Sequence, residues 1–182
     1  MVDAKHKTVP HSLIKDLVLG CGLAHNIDII KKLKQEFFFD YNNPTQRIPL
    51  DLYCDIIEFV RKTCYKDMGY SEGLFVAGIA SLEGHFQGTV GKINKVAARM
   101  LGIDKAAELY IKTQNYNYPF GIHTMEELKK GYLRYHRRKV NTPPDFTRGV
   151  LSYLIQLTGA KNIKVTARIL AEGDTIYEAT WE

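Results

Sequence analysis

Apolar positions in the first third of the chain recur at helical spacing. Leu13, Ile14, Leu17 and Val18 share one face after Ser12, and Gly20 can end that helix. Asn26 can cap a second helix, with Ile29, Ile30, Leu33 and Phe37 as its stripe. The stretch DYNNPTQRIP breaks the pattern through its Asn and Pro content. Tyr53, Ile56, Ile57, Val60 and Cys64 predict a helix over about 50–65, and another runs from about Ser71 past Gly84. Ile93, Val96, Ala97, Met100 and Leu101 make a further apolar face, closed by Gly102. Asp104 can cap a last short helix, AAELYIK.

The period then changes. Tyr116, Tyr118, Phe120 and Ile122 alternate as a half-buried strand would. The run LKKGYLRYHRR also fits a strand, with Leu133 and Tyr135 on one face and Arg134 and His136 on the other. Thr142 sits at the cap of a clear helix, with Pro143 at its first position and Asp145 near its positive end. Its stripe is Phe146, Val150, Leu151, Leu154 and Ile155, and Gly159 ends it. Ile163, Val165, Ala167 and Ile169 alternate with Lys164, Thr166 and Arg168. Glu172-Gly173-Asp174 turns the chain into Tyr177, Ala179 and Trp181, which gives a hairpin. The layout predicts an α+β fold in one domain, 1–182. A helical half, about 1–112, packs on a four-stranded antiparallel sheet half with one helix, about 113–182.

With 182 residues, 45% hydrophobic and 25% charged, the chain is long enough to bury a sizeable core and unlike a disordered or fibrous one. No apolar run approaches the ~20 residues a bilayer span needs, and MVDAKHKTVPHS lacks the apolar core of a signal peptide. Cys21, Cys54 and Cys64 form no CxxC pair, so reduced thiols in a cytoplasm are expected. A net charge of +5 can attract an anionic ligand, a membrane surface or nucleic acid, and selects none of them. The run Arg134-Tyr-His-Arg-Arg-Lys139 can contact phosphates, but positive charge guarding an exposed strand edge is the simpler reading. No helix-turn-helix or RNA-binding sheet signature joins it, so no nucleic-acid partner is expected.

Catalytic signatures are missing. There is no GxSxG elbow, Walker loop or GxGxxG fingerprint, and the histidines at 6, 11, 25, 85, 123 and 136 form no HxxxH or HExxH pair. We therefore expect no catalytic residue and no protein-bound metal site: a binding module, not an enzyme.

The unusual helical feature is a stripe of small residues. Ala77, Ser81, Gly84, Gly88 and Gly91 fall at spacings of four, three, four and three. Glycine inside a helix costs about 1 kcal/mol relative to alanine, so the series needs a compensation or a break. The helix can stop near Gly84–Gly91, a second helix can approach closely, or the missing volume can form a groove for an apolar ligand.

Two segments carry a family resemblance. ARMLGIDKAAELYIKTQNYNY, and PPDFTRGVLSYLIQLTGAKNIKVTARILAEGDTIYEATW, resemble a bacterial family of uncharacterised proteins found as large paralogous sets in myxobacteria and related delta-proteobacteria. The shared pattern is Lys112-Thr113-Gln114-Asn115, then Pro144-Asp145-Phe146 with Gly149, then Gly159-Ala160 and a closing aromatic, Trp181. That family is similar to a wider group of haem-nitric-oxide-binding domains, 4-vinyl-reductase domains and TRAPP-type subunits. The resemblance implies helices over an antiparallel sheet and an apolar ligand, a porphyrin or an acyl chain, between the layers. The Tyr-x-Ser-x-Arg grip of the haem domains has no counterpart here, so haem is not the expected cofactor; His85 is the residue a haem reading would use as iron ligand.

The expected function is thus a non-catalytic sensor or binding module for a long fatty-acyl chain. At about 0.8 kcal/mol per buried methylene, a chain of ~16 carbons drives its own binding. The expected ligand-binding residues are Ala77, Ser81, Gly84, His85, Gly88, Lys112, Asn115, Tyr116 and Tyr118. The alternatives are a haem-based gas sensor using His85 and a ligand-free homodimerisation module.

Overall fold

The computed structural model describes residues 7–43 and 47–182. The opening residues 1–6, including His6, and the centre of the 40–49 break lie outside them. The element order is β1 (Thr8–Pro10), α1 (Ser12–Gly20), α2 (Ile27–Glu36), β2 (Arg47–Pro49), α3 (Leu50–Cys64), α4 (Tyr70–His85), α5 (Thr89–Asn117), β3 (Ile122–Lys129), β4 (Tyr132–Arg138), α6 (Pro144–Leu157), β5 (Lys164–Ala171) and β6 (Asp174–Thr180).

The amphipathic stripes of α1, α3 and α6 are buried as their spacing requires: Ile14, Leu17 and Val18; Tyr53, Ile56, Ile57 and Val60; Phe146, Leu151, Leu154 and Ile155. Asn26 caps α2, its side chain accepting from the Ile29 N–H at 3.2 Å. In α6 the cap shifts one residue, to Pro143, because Thr142 is drawn into the interior, where its carbonyl accepts from Arg137.

The main sheet is antiparallel in the order β3-β4-β6-β5. Leu133, Tyr135, Val165, Tyr177 and Ala179 turn one face toward α6 and the second half of α5. A second core gathers α1, α3 and α4, closed by Tyr118, Val140 and Phe146. Val150 of α6 packs against both. A small ribbon, β1 with β2, ties the start of the chain to the entry of α3. Its three-residue strands are too short to show a period, and the sequence reading has no element there.

Three expectations are corrected. The helix that precedes the change of period runs on to Asn117, so Tyr116 is helical and the strand begins at Ile122. Tyr110, Gln114 and Asn117 are buried at helical offsets, and the tyrosine alternation merely crosses the end of the helix into a turn closed by Gly121 N–H to Tyr118 O at 2.8 Å. The face formed by Ile93, Val96 and Met100 points to solvent; the side chain of Leu101 is outside the described set. The basic strand is no edge. β4 lies between β3 and β6, where Arg134 pairs with Glu126 at 3.0 Å and His136 bridges Glu126 and Asp174 at 2.8 and 2.6 Å.

Candidate functional site: a cavity with a buried cation

At Gly84 and Gly91 the small-residue stripe is filled by backbone. A Cβ on Gly84 would run into α1, at the Asp16 carbonyl and 2.7 Å from Gly20 N, and one on Gly20 would strike the Ala80 carbonyl in return. On the next face, a Cβ on Gly78 would strike the Phe146 carbonyl of α6, and one on Gly149 the Phe75 carbonyl of α4. Reciprocal glycines therefore bring α4 into backbone contact with a helix on each side. Gly88 lies after the helix has ended, as the N-cap of α5. Of the three uses open to the stripe, close helix approach and a stop before Gly88 are realised, and the groove along it is not.

A cavity exists beside the stripe. About 330 Å³ lies among α1, α3, α4, α5, α6 and β4. Four expected site residues, Ser81, His85, Tyr116 and Tyr118, are on its wall. Five are not. Ala77 is consumed in the helical core, Gly84 faces α1, Gly88 caps α5, and Lys112 and Asn115 are exposed, Lys112 pairing with Glu108 at 2.7 Å. At the end of α5, Thr113, Gln114, Tyr116, Asn117 and Tyr118 all line the cavity, and 70%-exposed Tyr116 marks where it reaches the surface.

The wall is mixed. Arg137, Tyr53, Tyr118 and Thr147 gather on one part of it, where Arg137 donates to Thr147. Leu82, Phe86, Ala98, Val150 and Leu154 supply apolar surface, and Asp16, Ser81, His85 and Asn94 are further polar groups on the same wall.

Arg137 is the residue that sequence reasoning missed. It is 2% exposed, yet its partners are all neutral: Thr147 Oγ1 at 2.7 Å, Tyr177 Oη at 2.8 Å and the Thr142 carbonyl at 3.1 Å. Its Nε has no acceptor among the described residues, and none of their carboxylates pairs with it. A guanidinium does not deprotonate in a protein, so Arg137 carries a permanent positive charge with no counter-ion among the described residues; the one carboxylate they place on the cavity wall, Asp16, pairs with His85. Buried charges are ordinarily paired. Around it, burial pushes the Tyr53, Tyr110, Tyr118 and Tyr135 hydroxyls up, Tyr118 to about 12, so all remain neutral donors. Next to Tyr135, with Nδ1 2.6 Å from its Oη, His123 is held neutral; burial first, and then Arg137, push its pKa down to about 4.

His85 is the imidazole on the wall. Its Nδ1 lies 3.0 Å from Asp16 Oδ2 and the side chain is about one-third exposed. No group of three or more metal-binding side chains converges among the described residues, and the α5 segment 89–117 contains no histidine. A water- or methylene-sized group takes roughly 30 Å³, so the cavity holds on the order of ten non-hydrogen atoms; haem has about forty. Arg137 suits a haem carboxylate, but a cavity of this volume does not enclose the whole macrocycle.

The family model described as a protein of unknown function, DUF2378, matches residues 14–182, and the chain belongs to that family. In structure the chain is similar to H-NOX domains. The Fe(II) unliganded H-NOX protein from K. algicida superposes with a TM-score of 0.63 at 7% identity, covering 95% of this chain and 96% of that one. A mutant of the T. tengcongensis H-NOX gives 0.57 at 12%, covering 94% of each chain. An oxygen-binding H-NOX domain related to soluble guanylate cyclases, in its oxygen complex, gives 0.56 at 14%, covering 94% and 92%. The fold is H-NOX-like. No curated protein sequence matches the chain.

Proposed function

We propose that this DUF2378 member is a non-catalytic sensor or binding module for a small anionic amphiphile, whose acidic head meets Arg137 and whose apolar body runs toward Phe86 and Leu154. The observation that carries this reading is the unpaired, buried guanidinium on the cavity wall. A bound carboxylate would supply the missing counter-charge and an acceptor for Nε, in the bidentate geometry that arginine favours. Tyr53 and Tyr118 stand beside it as neutral donors. The volume suits a medium-chain fatty acid better than the ~16-carbon chain that methylene energetics alone allow. Ser81, His85 and Tyr116 would line the path. The free thiols of Cys21, Cys54 and Cys64 fit a reducing cytoplasm.

Decanoate tests the reading against decanol, which has the same body without the charge. Titration of the purified protein is expected to give decanoate binding at least tenfold tighter than decanol, and Arg137→Met to abolish that difference while Arg137→Lys keeps part of it. Equal affinity for the two probes, or an unchanged preference in Arg137→Met, overturns it. The H-NOX-like fold and the presence of His85 on the wall support haem as a second reading. A Soret band on haemin loading that is lost in His85→Ala would favour it over the fatty acid.

A further inference from the structure

The first half of α5, up to the break at Gly102, carries an apolar stripe that no described residue covers. Ile93 is 66% exposed, Val96 54% and Met100 79%. They fall on one side of the helix together with Ala97. The orientation is set by the opposite side. Gly91 lies so close to His85 that a Cβ would strike its carbonyl, Ala98 is buried, and Asn94 and Ala98 line the cavity. The inner face is thus made of small and polar groups, and the large apolar side chains are left in water. Scattered exposed hydrophobics are ordinary; three on one helical stripe, between Gly88 at the cap and Gly102 at φ 74°, are not.

The charge on this segment is one-sided. Lys92, Lys95 and Arg99 lie within it, and residues 89–103 contain no Asp or Glu. None of the three cations takes part in an ion pair among the described residues. They fall together on one flank of the stripe, beside Val96, and Asn94 and Ala98 lie on the other.

We propose that residues 89–101 dock the protein on an anionic bilayer surface, with Ile93, Val96 and Met100 entering the boundary of the acyl region and Lys92, Lys95 and Arg99 at the headgroup phosphates. An apolar stripe flanked by cations is the pattern of a helix that lies in a membrane interface. A second copy is a poorer occupant, because its matching segment brings more cations and no acid to the contact. An acidic protein is poorer too: the stripe has no aromatic anchor of the kind that carries protein interfaces. Since Asn94 and Ala98 belong to the same helix, docking sets the cavity wall beside the lipid.

Co-sedimentation of the full chain with phosphatidylcholine vesicles, with and without phosphatidylserine, tests the proposal. Binding is expected only when phosphatidylserine is present and is expected to weaken with salt. Lys92→Gln or Arg99→Gln is expected to reduce it about fivefold each, and Ile93→Asp with Met100→Asp to abolish it. In Met100→Trp, emission is expected to shift to the blue on those vesicles alone. These positions are exposed, so unchanged far-UV circular dichroism is expected in every variant. Equal behaviour with both vesicle types, or binding that survives the double aspartate variant, overturns the proposal. So does a concentration-dependent dimer in sedimentation velocity that the same variant dissolves, since it gives the face to a second copy. Decanoate plays no part in the readout, so failure here leaves the ligand reading intact.

Discussion

Gly149→Ala is the sharpest test of how α4 is held. On an isolated helix the change gains about 1 kcal/mol, because alanine is the better helix former. In this fold the new methyl would sit 2.9 Å from the Phe75 carbonyl carbon and 3.0 Å from Ile79 N, with the carbonyl oxygen nearer still. The carbonyl oxygen is the limiting contact, and relieving it requires α4 and α6 to part by roughly 1 Å or more; a gap of about 1 Å forfeits up to about half of each dispersion contact. The Leu74, Ala77 and Phe146 packing beside the crossing takes that loss. Overpacking of this kind costs about 1–3 kcal/mol; the clash is with backbone, which cannot rotate away, so the upper part of that range applies and about 1–2 kcal/mol of net destabilisation remains after the propensity gain. For a domain of this size that lowers Tm by ~2–8 °C. Differential scanning calorimetry reads it directly, with Gly88→Ser as control. At Gly88 the nearest atom to an added Cβ is His85 O at 3.6 Å, and serine is a better N-cap, so that variant is expected to keep or raise Tm. A Gly149→Ala protein as stable as the parent would show that the helices are not locked by backbone contact.

Two further outcomes follow from the perturbed groups. His123 binds a proton near pH 6.5 when unfolded but only near pH 4 when folded, so the unfolded state holds more protons between those values. Stability is therefore expected to fall by about 3 kcal/mol as pH drops through that window; urea titrations of His123→Gln should show a flatter dependence, and an identical slope would refute the assignment. Among the thiols, Cys64 is lowered by its hydrogen bond with Cys21, whereas burial pushes Cys54 up to about 12. Brief iodoacetamide treatment at neutral pH is expected to label Cys64 well before Cys54 by peptide mass mapping, and preferential labelling of Cys54 would contradict the packing of α3.

The helices α1 to α3 were legible because Gly20, Asn26 and the 40–49 break punctuate stripes of ordinary spacing. β5 and β6 were legible through their alternation around Glu172-Gly173. The end of α5 was not, because three aromatics at even spacing imitate a strand while Tyr110, Gln114 and Asn117 keep the helical offsets. Nor was the outward turn of Ile93 and Met100, which is imposed by the fit of Gly91 against His85 and leaves no trace in the pattern of α5 itself. Arg137 had a signal that went unused. Leu133 and Tyr135 face inward on β4, and the next residue of that parity is 137. A positive residue on an inward parity looks like a break in the strand unless β4 is known to lie between β3 and β6, and pairing order is a long-range property.

The undersized residues bear on the cavity in a different way from the one their spacing suggested. Gly84 with Gly20, and Gly78 with Gly149, press α4 against α1 on one side and α6 on the other until backbone meets backbone. A helix gripped on two sides cannot slide into a neighbouring void. The wall that Ser81, Leu82 and His85 present to Arg137, across about 330 Å³, is fixed by contacts made on the other faces of α4. Missing side-chain volume at Gly84 and Gly78 thus marks where α4 is held tightest, and the open space lies beside it, where α5 ends in the polar run Gln114–Tyr118 and β4 delivers a charge with no carboxylate partner among the described residues.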